Sequence, residues 1–161
     1  MWDSPTVYWF CLGAIALAAA VVMAFILRPL LAAQHRRRVV GDKLTFRQQR
    51  ERLEAKFFDL ASQSGKPRGL RWTNCEFADD VSFARDRESG NMTALVAVTI
   101  SFEAIEDGGM EDVEAVGNLR AATAVFFLNE QRWATRGRVI FNLEPAEAIQ
   151  RFQHTLDRIR D

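Results

Sequence analysis

Three hydrophobic patterns follow one another along the chain. From Val7 to Leu27 every position is apolar or neutral, and no charge falls between Asp3 and Arg28. At roughly 1.5 Å per residue, a helix of that run reaches roughly 30 Å, the thickness of a bilayer's hydrocarbon core. Trp2, Tyr8 and Trp9 gather at one end, where amphipathic rings favour the headgroup region. Arg28 closes the other end, and Pro29 disfavours a regular continuation. A cleaved signal peptide wants positive charge ahead of its apolar run, and here only Asp3 precedes it. The pattern therefore predicts a retained single-pass transmembrane helix at about 7–27, a signal anchor inside an N-terminal segment 1–35.

The second pattern is helical and mixed. Residues 36–43 form a short basic connector, and 44–64 read as a helix or stalk starting near Thr45. Thr45 caps it, with Gln48 as a weak capping-box partner. Phe46, Leu53, Phe57, Leu60 and Ala61 mark its apolar side, which is sparse at first and dense at the end. Ser64-Gly65-Lys66-Pro67 stops it.

The third pattern has period two. Leu70 to Phe77 and Val81 to Arg87 read as strands, with a bulge before Cys75. Glu88-Ser89-Gly90-Asn91 is a hairpin turn, and Met92 to Ile105 is the clearest strand. Arg120 to Leu128 and Arg132 to Leu143 follow, joined at Asn129-Glu130-Gln131, with Gly137 suggesting a bulge. Pro145 opens a final helix with an apolar stripe at Ile149, Phe152, Leu156 and Ile159. Consecutive strands with hairpin-length links predict an α+β domain over 65–161: an antiparallel sheet of about five strands flanked by two helices.

Charge sharpens the picture because its balance is only an average. The 161 residues carry 21 Lys plus Arg and 21 Asp plus Glu. Residues 1–35 sum to zero, 36–43 to +3 and 44–161 to −3. The positive flank follows the span and nothing positive precedes it, so the N-terminus is expected outside and the C-terminal domain in the cytoplasm. Arg36, Arg37, Arg38 and Lys43 form a collar suited to the lipid bilayer. No basic surplus marks the folded part, so nucleic acid is not an expected partner. Ala16, Ala20 and Ala24 share one helical face, which would let two spans approach as a homodimer.

Candidate chemistry is thin. Glu106, Asp107, Glu111, Asp112 and Glu114 make an acidic loop suited to docking a basic partner by steering, rather than a metal site, because the EF-hand order of ligands is absent. The two His and two Cys stand at no zinc spacing, and Cys75 has no partner constellation for nucleophilic work. Arg85, Arg87, Arg136 and Arg138 lie on neighbouring strands beside Asp79, Asp80, Asp86 and Glu88, a mixture that cross-strand ion pairing explains. No phosphate loop, dinucleotide fingerprint, nucleophile elbow or zinc-protease helix occurs. No catalytic, cofactor or metal residue is therefore assigned. The strand-opening Trp after a tight turn, Asn129-Glu130-Gln131-Arg132-Trp133, together with a helix leading into curved strands, loosely resembles the cone-shaped NTF2-like fold. That resemblance covers one hairpin and the strand pattern, and implies a pocket for small ligands or a dimer face. This chain departs from it in lacking the His–Asp pocket pair of the family's enzymes and in placing a helix after the last strand.

The reading that follows is a membrane-anchored cytoplasmic interaction or scaffold module without an identifiable catalytic site. Two alternatives stand beside it: a small-ligand-binding or enzymatic domain with a pocket between sheet and helix, and an accessory subunit of a larger membrane complex.

Overall fold

A computed structural model describes residues 4–64, 69–106, 109 and 119–159. Two compact units divide the chain, 1–44 and 45–161. Helix α1 spans Ser4–Gln48 and runs through Pro29, so the helix expected to start at Thr45 instead continues one that began far upstream. Proline costs one backbone hydrogen bond, and the helix-favouring Leu30 to Ala33 carry the coil onward. Among the described residues, no helix is long and apolar enough to cross a membrane. Most side chains of the run 7–20 lie outside the described set, and the transmembrane helix expected at about 7–27 is not shown.

The break comes at Gln49, whose N–H is shared between the carbonyls of Thr45 and Phe46, both at 3.1 Å. Helix α2 then spans Arg50–Gln63 and buries Leu53, Phe57 and Ala61. The sheet has five antiparallel strands: β1 (Leu70–Asp86), β2 (Met92–Ala104), β3 (Arg120–Asn129), β4 (Arg132–Phe141) and β5 (Leu156–Arg158). Their order is β4-β3-β2-β1-β5, a meander closed at one edge by the last strand. The sheet is thus α+β and antiparallel, as its alternation required.

Two elements differ from the sequence reading. The strands expected at 70–77 and 81–87 are one strand, β1, whose register slips between Trp72 and Asn74 and again between Phe77 and Val81. Arg50 explains how the second slip is tolerated: its guanidinium donates to the carbonyls of Ala78 and Asp79 and pairs with Glu54 at 2.6 Å. The bulged backbone is therefore satisfied rather than orphaned. The final helix, α3, spans only Pro145–Arg151, held at its start by a Glu144–Glu147 capping box. Leu156 and its neighbours leave it to form β5 against Ala84, Arg85 and Asp86. Pairing there covers the open edge of β1, which a longer helix would leave bare.

The main core sits between α2 and one sheet face. Phe46, from the last turn of α1, is fully buried. Its ring meets Phe83 at 5.8 Å, Phe126 at 5.4 Å and Trp133 at 4.9 Å between centroids, edge to face in each case. Phe57 meets Phe77 and Phe126 at 5.6 and 5.8 Å. The first half of the segment read as a stalk is therefore docked at Phe46. Where α2 crosses β4, Gly137 leaves no room for a side chain: a Cβ would stand 2.6 Å from the Ala61 nitrogen, and φ is +67°. The bulge expected at Gly137 appears as a register slip of β4 against β3 between Ala124 and Phe126.

Candidate functional site

Alternation sends neighbouring residues of each strand to opposite faces. Phe83, Ala94 and Phe126 face α2, so Ala84, Thr93, Leu95, Val125 and Phe127 face the other way. On that second face α3 packs Ala148 and Ile149 onto Ala84 and Leu95, with Ile140, Leu143 and Leu156 at the margin. Helix α3 has only seven residues, so it covers part of the face. Beside it lies a half-open groove of about 510 Å³. Leu95, Val125, Phe127 and Ile140 form its floor, and Phe152, Thr155 and Leu156 form the wall nearest α3.

Two charged rims face each other across this floor. On β4, Arg136 and Arg138 are two positions apart and so share a face, with Gly137 between them turned toward α2. The Arg136 guanidinium carbon lies 5.1 Å from the centre of the Phe127 ring, a cation–π contact that fixes the side chain over the floor. On the opposite rim, Asp86 accepts from the backbone N–H of Ser89 at 2.7 Å, the Ser89 hydroxyl at 2.9 Å and the Glu88 N–H at 3.1 Å. The donors from Ser89, then from Glu88, hold the Asp86 carboxyl below its ordinary value, so it stays ionised. Ion pairs join Arg50 to Glu54, Arg71 to Glu103 and Arg87 to Asp157. Among the described residues, then, Arg136 and Arg138 have no carboxylate partner, while Arg87 has found one on β5. Cross-strand pairing does not account for Arg136 and Arg138.

A second, shallower cleft of about 400 Å³ lies between α2 and β1, bordered by Glu54, Asp59 and Cys75. Burial pushes the Cys75 thiol up to about 12, so it is protonated at neutral pH and a poor nucleophile there.

Glu106 is exposed just after β2, whereas Asp107, Glu111, Asp112 and Glu114 lie outside the described residues. Arg36, Arg37 and Arg38 are exposed on α1 and Lys43 is half-buried, so the collar is helical rather than an irregular connector. Ala24 is exposed, while the side chains of Ala16 and Ala20 are outside the described set. Among the described residues no group of three or more His, Cys, Asp or Glu is placed to hold a metal ion. Among the sequence expectations, only the alternative of a pocket between sheet and helix bears on the groove. Its one legible signal was a pair of arginines two positions apart on an alternating strand, which places both on one face.

The class these features define is a helix-backed, curled antiparallel α+β sheet with a polar-rimmed groove on its less covered face. No family model matches the chain, and no curated protein and no solved structure matches it either.

Proposed function

We propose that the protein is a single-pass, membrane-anchored interaction module, with its N-terminus outside and its α+β domain on the cytoplasmic side. The observation that carries this reading is the stretch 21–27, where every residue is apolar and every one is exposed. Seven residues turn a helix almost twice, so no face of it is polar or covered. An amphipathic docking helix keeps a polar face, whereas a helix apolar all round calls for lipid or a core. Exposed Arg36, Arg37 and Arg38 follow at the position where positive charge retains a cytoplasmic flank. The acidic segment at Glu106, Asp107, Glu111, Asp112 and Glu114 supplies a docking surface for a basic protein partner. The net negative charge of the domain keeps it off an anionic leaflet. Ala16, Ala20 and Ala24 offer a face for pairing two anchors.

Alkaline carbonate extraction tests the anchor: the chain should stay in the membrane pellet, and recovery in the supernatant would refute it. A reporter fused to the C-terminus should be active only in the cytoplasm. This is a better topology probe than thiol labelling, because Cys75 resists the reagent.

A second reading is favoured by the groove itself. A cavity of about 510 Å³ with an apolar floor and convergent polar rims has the size and character of small-ligand sites, roughly 300–1,000 Å³. The domain then senses or carries a ligand at the membrane. Saturable binding of a small molecule, lost when Val125 is replaced by a charged residue, supports it.

A further inference from the structure

Arg136 and Arg138 of β4 are charges that no described ion pair explains. They stand at the mouth of an apolar groove, with no described carboxylate to neutralise them. Two residues along a strand span roughly 7 Å, so the two guanidiniums can close on one anionic group from either side. Stacking on Phe127 already restrains Arg136, which lowers the ordering cost on binding. Asp86, across the groove, repels an anion from the far rim and so sets the polarity of whatever enters.

We propose that the groove binds a small amphiphilic carboxylate, with its head held by Arg136 and Arg138 and its apolar body laid on Leu95, Val125 and Phe127. The proposal rests on the ligand-binding reading above and adds the ligand's chemistry to it. Charge complementarity selects the anion, since a guanidinium fork matches a carboxylate in two parallel hydrogen bonds. The floor selects an apolar body: Leu95 is fully buried and Val125 and Phe127 are half-buried, so the groove leads from a wet rim to a dry base. The cavity suits a molecule rather than a folded partner, because α3 and β5 close one end of it.

The test is isothermal titration of the full-length chain in nanodiscs of zwitterionic lipid, with empty discs as the blank. The probes are 4-phenylbutyrate and its uncharged amide, which share one apolar body. The carboxylate should give saturable heat, the amide should bind at least about tenfold more weakly, and Arg136→Gln with Arg138→Gln should reduce carboxylate affinity by about tenfold or more. Both positions are exposed, so the double variant keeps its fold, as its melting transition verifies. Phe127→Ala, which leaves both cations in place, should weaken both probes. Equal binding of acid and amide, or an affinity indifferent to the two arginines, overturns the proposal and leaves the ligand-binding reading standing. No saturable heat from either probe overturns both. Co-migration of the chain with the discs reports the anchor separately.

Discussion

The two faces of the sheet are built from the same strands and differ in what they hold. Between α2 and the sheet lie Phe46, Phe57, Phe83, Phe126 and Trp133, all nearly inaccessible to water, with Phe46 edge to face against Phe83, Phe126 and Trp133. On the other face the buried set is Ala84, Leu95, Ala148 and Ile149, smaller in volume and confined to one end. Each fully buried Phe contributes roughly 1.5–3 kcal/mol, so the aromatic face carries most of the stability. A seven-residue α3 leaves the second face partly uncovered, and Arg136 and Arg138 line the groove there. Stability and recognition are thus separated across one sheet, so the recognition face can change with little cost to the fold.

Phe126 and Phe127 are adjacent in β3 and point to opposite faces, so they test this division most directly. Phe126→Ala should cost about 3–5 kcal/mol in chemical denaturation. Phe127→Ala, at a half-buried position, should cost on the order of 1 kcal/mol. Similar losses would mean the two faces share the load.

Gly137 joins the faces, since it admits α2 on one side and sits between Arg136 and Arg138 on the other. Gly137→Ala should cost about 2–4 kcal/mol, from the left-handed backbone and from the clash with Ala61 and Leu60. A melting temperature unchanged from the wild type would show that α2 is not pinned there.

The β3–β4 turn is a place to gain stability. Glu130 and Gln131 have φ of +47° and +64°, values that Asn and Gly adopt with less strain. Glu130→Asn with Gln131→Gly should raise stability by roughly 1 kcal/mol without touching the groove, read as a higher denaturant midpoint.

Asp86 gives the acid side of the comparison. Its pKa is lower in the folded chain, so its stabilising contribution is present above the unfolded carboxylate value. That contribution is lost as pH falls through the folded value, below the ordinary 3.8. The side chain is largely solvated, so the effect is small. Asp86→Asn should flatten the loss of stability below about pH 4, and an unaltered acid limb would remove Asp86 from the account. Smallest of all, breaking the exposed Arg87–Asp157 pair with Asp157→Asn should change stability by less than about 1 kcal/mol.

Much of the fold was legible because alternation and turn chemistry are local. The strand from Met92, both hairpin turns, Pro145 at the head of a helix and the Gly137 bulge all announce themselves within a few residues. The long β1 did not, because Asp79-Asp80 reads as a break until Arg50, distant in sequence, supplies donors for the bulged carbonyls. Nor did β5, because Leu156 continues a helical stripe as well as it fills a gap beside Ala84. The groove was hidden for the same reason: Arg136 and Arg138 look like members of an ion-pair ladder until the neighbouring strands present Phe127 and Val125 instead of acids.

By itself the sequence determined what depends on near neighbours: an uncharged apolar run near the N-terminus, a basic flank after it, and a two-fold alternation that becomes an antiparallel sheet. Tertiary structure decided what depends on which distant groups meet. Phe46 became the centre of the core, Gly137 the crossing point of helix and strand, and two arginines the rim of a groove. A local pattern fixes the direction in which a side chain points. Only the assembled sheet fixes what waits there, because the partner comes from a strand or helix tens of residues away.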